Sequence, residues 1–168
     1  MSMVDDASTS FDEWVRPHLL AMYRLAARLV SVPDADDVVQ TSLLRAWDKR
    51  DQYDEKRGTA SQWLLAIVVD QSRAARRSHA RRADVIGQVP PTAGAASGSE
   101  DLAVRRLDIE AALNTLTRRQ RVAIELHYFV GLTLEETAQV MGVRLGTAKS
   151  TMFDARARLR ALLGAFDD

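Results

Sequence analysis

Apolar side chains recur at helical spacing through most of this chain. Val15, Leu19, Met22 or Tyr23, Ala26 and Val30 fall on one face of a helix expected over 11–30. Ser10-x-x-Glu13 has the form of a capping box that would open it. Pro33 breaks the pattern, and Asp34 is placed to cap a second helix to about residue 50. Its apolar stripe reads Val39, Leu43, Ala46 and Trp47. Residues 51–58, DQYDEKRG, are too polar for a core and predict a loop. Thr59-x-x-Gln62 then caps a third helix to about residue 82, apolar at first (Trp63, Leu64, Ile67, Val68) and basic later.

From 83 to 99 the periodicity stops, and Gly, Pro, Ala and Ser take over around Pro90-Pro91. Such a stretch predicts a linker; roughly 17 extended residues would reach about 60 Å. A helix follows over about 101–114. Thr117-x-x-Gln120 opens the next, which ends near Gly131, and Thr133-x-x-Glu136 opens a short one to Met141. Gly142 suits the left-handed position after a helix end. On the last helix, 146–163, Ala148, Met152, Ala155 and Leu159 form the expected buried stripe, leaving Thr147, Lys149, Ser150, Thr151 and Asp154 facing outward. A short helix, a tight turn at a glycine and a second helix carrying cations outline a helix-turn-helix. The expected fold is all-α: two small helical domains, 10–82 and 101–165, joined by a flexible linker at 83–100.

Composition narrows the function. The 168 residues carry 23 basic and 23 acidic side chains, a net charge of +0, which alone would weaken a nucleic-acid reading. The charges are segregated, however. Residues 1–40 hold seven acids (Asp5, Asp6, Asp12, Glu13, Asp34, Asp36, Asp37) against three Arg. Arg73, Arg76, Arg77, Arg81 and Arg82 cluster without an acid, and Arg144, Lys149, Arg156, Arg158 and Arg160 face Asp154 alone. One acidic end and two basic patches suggest more than one partner surface. The absence of Cys excludes disulfides and thiolate metal sites and fits a reducing cytoplasm. No apolar run reaches the length of a membrane span, and the N-terminal residues have no secretory pattern.

Each candidate site has a plainer reading beside it. Small and basic residues on the last helix can approach base edges and its arginines can meet phosphates. The plainer reading is a solvated helix whose C-terminal cations suit its dipole. The arginine run at 73–82 follows a loop with Tyr53 and a helix with Trp63, an arrangement able to hold backbone and stack unpaired bases. Alternatively the run is a charged helix tail and Trp63 is core. Asp34, Asp36 and Asp37 suggest carboxylate chemistry, but acids at a helix start are stabilising in themselves. His18, His79 and His127 have no ligand spacing, and no phosphate loop, nucleophile elbow or zinc motif is present. No catalytic residue, metal or cofactor is expected.

Two segments carry a family resemblance. Asp34-Ala-Asp-Asp-Val-Val-Gln40, with Leu44-Arg-Ala-Trp47, resembles region 2.2 of the bacterial sigma-70 superfamily. Leu116-Thr-Arg-Arg-Gln-Arg121, Gly131-Leu-Thr, Glu136-Thr-Ala138, Gly142 and Gly146-Thr-Ala-Lys-Ser150, with Ala155-Arg156, resemble region 4. In this order, with a linker between, they are similar to the small extracytoplasmic-function (group IV) sigma factors. The resemblance implies a promoter-specificity subunit of RNA polymerase. Asp36, Asp37, Gln40, Leu44 and Trp47 would dock on the β′ clamp helices of the core. Tyr53, Asp54, Arg57, Gln62, Trp63, Arg73, Arg76 and Arg77 would engage the −10 element, capturing an unstacked base. Arg144, Thr147, Lys149, Ser150, Thr151, Asp154 and Arg156 would read the −35 element, with this domain touching the β flap. The linker would span one and a half DNA turns at roughly 34 Å each.

The resemblance further implies a cytoplasmic monomer without membrane insertion, held inactive by an anti-sigma factor. Thr41 stands where the family commonly has Glu, Asp70 where Asn is frequent, and Arg144 where Ser caps the recognition helix. Thr151 and Asp154 replace frequent basic residues, implying a −35 preference of its own; Asp154 could accept from a cytosine amino group. Two other readings use the same residues. A sigma-like decoy would bind an anti-sigma factor without promoter activity. A stand-alone repressor would bind duplex DNA tightly by itself, but leaves the Asp36–Trp47 motif unexplained.

Overall fold

The computed structural model describes residues 10–86 and 109–163, with the backbone alone for 82–86. Among the described residues every regular element is helical. The chain divides into two compact units, Met1–Pro91 and Thr92–Asp168.

In the first unit α1 (10–15) ends in a 3₁₀ turn, Arg16–His18, before α2 (Leu19–Leu29) begins. The single helix expected over 11–30 is therefore interrupted. Pro17 sits in the turn, lacks an N–H and crowds the carbonyl four residues back. Arg16 is bonded to Asp12 there, which raises its pKa above the ordinary value through that hydrogen bond and the carboxylate's charge. Ser10 is already helical, so it lies inside α1. Helix α3 (Val32–Asp48) starts at Ser31, with Pro33 in its first turn. Asp34, expected as the cap, lies one turn in: its N–H donates to the Ser31 carbonyl at 3.0 Å, and its carboxylate accepts from the Ser31 hydroxyl. Pro fits a first helical turn, where an N–H has no partner to lose.

The α3 stripe is also rotated from the expected one. Ala35, Val38, Ser42 and Ala46 are buried, whereas Val39, Leu43 and Trp47 are half-buried. Ser42 occupies the centre because its hydroxyl donates to the Val38 carbonyl at 2.6 Å, which satisfies a polar group in the core. Helix α4 (Ala60–Ile86) has 27 residues, about 40 Å at the usual rise. It passes the expected boundary at residue 82, so 83–86 are helix and not linker; 87–100 lie outside the described residues. Helices α2, α3 and α4 pack pairwise around Met22, Leu25, Leu29, Val38, Leu64, Leu65, Val68 and Val69. Each of the larger side chains contributes about 1.5–3 kcal/mol by leaving water.

In the second unit α5 (109–114) is the described end of the helix expected from 101. Helix α6 (Arg118–Ile124) continues into a π turn, Glu125–Phe129, then come α7 (Leu134–Met141) and α8 (Leu145–Leu163). Both α6 and α7 pack on α8. Val122, Ile124, Leu126, Ala138, Met141, Ala148, Met152 and Ala155 make the core. The capping boxes at Thr117/Gln120 and Thr133/Glu136 are formed in both directions.

Candidate nucleic-acid and polymerase interfaces

The turn before α8 is built from local signals. Gly142 is left-handed at φ 66° and ψ 36°. The Val143 N–H donates to Ala138 at 2.9 Å and the Gly142 N–H to Gln139 at 3.0 Å, the paired bonds of a Schellman end. Thr147 and Ala148 N–H groups donate to the Arg144 carbonyl at 2.9 and 3.1 Å, which starts α8 at once. Its buried stripe is Ala148, Thr151, Met152 and Ala155, the i, i+3, i+4, i+7 pattern. Thr151 is 8% exposed and so is not on the outward face, correcting the expectation. A stripe drawn at i, i+4 and i+7 leaves out the i+3 position, which an α-helix also buries. Thr147 and Leu159 are half-buried, and Arg144, Lys149, Ser150, Asp154 and Arg156 are exposed. Arg158 bends to Thr115, Nε to Oγ1 at 3.3 Å, instead of pairing with Asp154 one turn before it. Phe153 is 74% exposed beside them and was missed. The available signal was an apolar residue lying off the buried stripe.

At the other candidate surface, an aromatic cluster joins α1, α3, the 50–59 loop and α4. Tyr53 and Trp63 rings are 5.6 Å apart, and Trp14 lies 5.4 and 6.0 Å from them. Phe11 bridges Trp14 and the edge of Trp47, while Arg50 covers Trp47 at 4.3 Å. Tyr53 and Trp63 are half-buried, which leaves part of each available for stacking. The loop consists of two 3₁₀ turns, Arg50–Gln52 and Glu55–Arg57. Asp54 accepts from the Lys56 N–H at 3.0 Å, and Gly58 at φ 151° occupies backbone space that other residues rarely enter. Arg57 is exposed.

Gln62 is 8% exposed, and its carbonyl accepts from the Thr59 N–H at 3.0 Å. It caps α4 as the Thr59-x-x-Gln62 spacing predicts, and its burial leaves little of it to meet a −10 element. Arg76 donates to the Leu29 carbonyl at 2.9 Å and closes the end of α2, while Arg73 pairs with Asp70 at 3.0 Å. His79 meets Asp34 at 3.0 Å and His127 the Leu132 carbonyl at 2.6 Å. Among the described residues no group of acids and histidines is placed to hold a metal ion.

The third surface is the outer side of α3. Asp36, Asp37, Gln40 and Thr41 are exposed, and Leu44 is 68% exposed. Asp37, Gln40 and Leu44 recur at i, i+3 and i+7 and share one face. An uncovered leucine among acids is the composition of a protein-docking patch. Trp47, expected with them, is turned toward Phe11 and Arg50.

The family model for sigma-70 region 2 matches residues 14–82, and that for sigma-70 region 4 matches 106–159. The RNA polymerase sigma-E factor of Streptomyces avermitilis is 35% identical, over 94% of this chain and 87% of its own. The ECF RNA polymerase sigma factor SigM of Mycobacterium tuberculosis is 36% identical over 92% of this chain and 78% of its own. The chain belongs to the extracytoplasmic-function sigma factors. Among solved structures, the Bartonella quintana sigma factor RpoE, in complex with the anti-sigma factor NepR, aligns with a TM-score of 0.76 and 30% identity. That match covers 94% of this chain and 99% of the other. CnrH, in complex with the cytosolic domain of CnrY, gives 0.68 and 26% over 95% and 91%. In this sigma factor the exposed α8 residues 149–156 fall within region 4, and the α3 face and the aromatic cluster, Phe11 excepted, fall within region 2. No described helix is long and apolar enough to cross a membrane.

Proposed function

We propose that this sigma factor works as a cytoplasmic monomer. The outer α3 face docks on the β′ clamp helices, the aromatic loop and α4 engage a −10 element and start strand opening, and α8 reads a −35 element while its unit touches the β flap. The observation that carries this reading is the exposed Lys149, Ser150 and Arg156 on α8, on the same chain as the uncovered Asp37–Gln40–Leu44 face. Cations at a groove-sized helix supply phosphate and base contacts, and an acidic, partly apolar face suits a protein. Overall neutrality supports a division of labour in which the free protein binds DNA weakly and gains specificity on the core. By analogy with the RpoE–NepR and CnrH–CnrY pairs, we propose that an anti-sigma factor covers these surfaces when the protein is inactive.

Run-off transcription with purified core polymerase tests the proposal. A promoter-dependent start site is expected; its absence, with an anti-sigma factor still bound, would support the decoy reading. Thr151 lends that reading no support, because it is a core position and its identity says nothing of DNA contact.

A further inference from the structure

A groove of about 460 Å³ lies between the last turns of α3 and the middle of α4. Arg45 and Lys49 line one wall; Asp70, Gln71, Arg73 and Arg77 line the other. The single carboxylate, Asp70, accepts from Arg73. Among the described residues Arg45, Lys49 and Arg77 form no ion pair, so their charges converge uncompensated. The dipole of α3 accounts for cations at its C-terminal end. It gives no reason for Arg73 and Arg77 to face them from the middle of another helix, where like charges repel.

We propose that this groove holds successive phosphates of the promoter backbone, with Arg45 and Lys49 as contacts not assigned by the reading above. The proposal rests on that reading. Each wall offers two cations four residues apart, about 6 Å along its helix, so the groove suits a repeating anion better than a single one. Arginine forks match phosphate oxygens. Trp63 and Arg77 lie fourteen residues apart on α4, about 21 Å, so a strand stacked at the aromatic cluster extends toward the groove.

The test uses the full chain assembled with core polymerase and a labelled promoter fragment, titrated from about 50 to 200 mM salt. An Arg45→Gln, Lys49→Gln variant should bind core as before. Its plot of log affinity against log salt should be shallower by about 1.4–1.8, two phosphates' worth. Neutral methylphosphonate linkages near the −10 element should weaken the wild type at adjacent positions and leave the variant unaffected there. Lys49→Gln alone should lower the slope by about 0.7–0.9, which keeps the test open if the double variant folds poorly. An unaltered slope in both variants overturns the proposal. So does lost core affinity with the slope intact, which would give the groove to an acidic protein surface. A wild type with no promoter-dependent binding overturns both this and the sigma-factor role.

Discussion

In the proposed −35 reading, Asp154 is the side chain that would set the DNA preference. It is exposed on α8 beside Phe153, and Arg158, its natural partner one helical turn on, is engaged by Thr115. A free carboxylate repels phosphate and accepts from the amino group of cytosine, while Asn favours adenine and Arg guanine. Transcription from a library randomised through the −35 element should therefore show one position moving from cytosine toward adenine in Asp154→Asn and toward guanine in Asp154→Arg. Lys149→Ala should lower the salt slope of promoter binding by about 0.9 at every sequence, read by titration of the holoenzyme. Lys149, Ser150 and Arg156 could be placed from the sequence because polar residues off an apolar stripe have one place to go. Thr151 could not, since it is a polar residue buried among neighbours that spacing does not reveal.

Among the elements, what could be read from sequence were the starts governed by short-range chemistry. Thr59, Thr117 and Thr133 each cap a helix through a partner three residues on, at bond lengths of 2.8–3.4 Å. Thr133→Ala should destabilise the second unit by about 1 kcal/mol, a fall in the thermal midpoint of about 4–8 °C followed by circular dichroism. Periodicity hides the interruption at Pro17 because apolar spacing continues across it, and hides the π turn because that turn ends at Phe129 with no helical positions directly beyond it to show a shift. Within the π turn Glu125 is 0% exposed, and Arg121 reaches it at 3.7 Å while also bonding Asn114 at 2.7 Å. Arg121→Ala leaves that buried carboxylate poorly compensated and should cost about 3 kcal/mol. Adding Glu125→Gln should return part of the lost melting temperature; no recovery would mean that the bonds of Arg121 to Asn114 and Glu110 carry the effect.

For the whole molecule, two units with separate cores point to cooperation through covalent connection. A protease site inserted between residues 91 and 92, cut after purification, should leave helical content unchanged. Promoter affinity of the holoenzyme should fall by about 10²-fold or more, measured by gel shift before and after cleavage. The division itself could be read from sequence because Gly and Pro replace periodic residues near Pro90-Pro91. Its upper edge was misplaced because α4 carries its helix through a polar stretch to Ile86. The wide turn at Glu125–Phe129 sets a rule for length changes. A π turn contains one residue more than an α turn, so losing one residue there lets α6 end as an ordinary helix, with the 130–133 loop taking up the difference. The same loss inside α8 would rotate everything beyond it by about 100° and carry Met152 and Ala155 out of their core. Tolerance to single-codon deletion should thus be concentrated at one bend of the second unit.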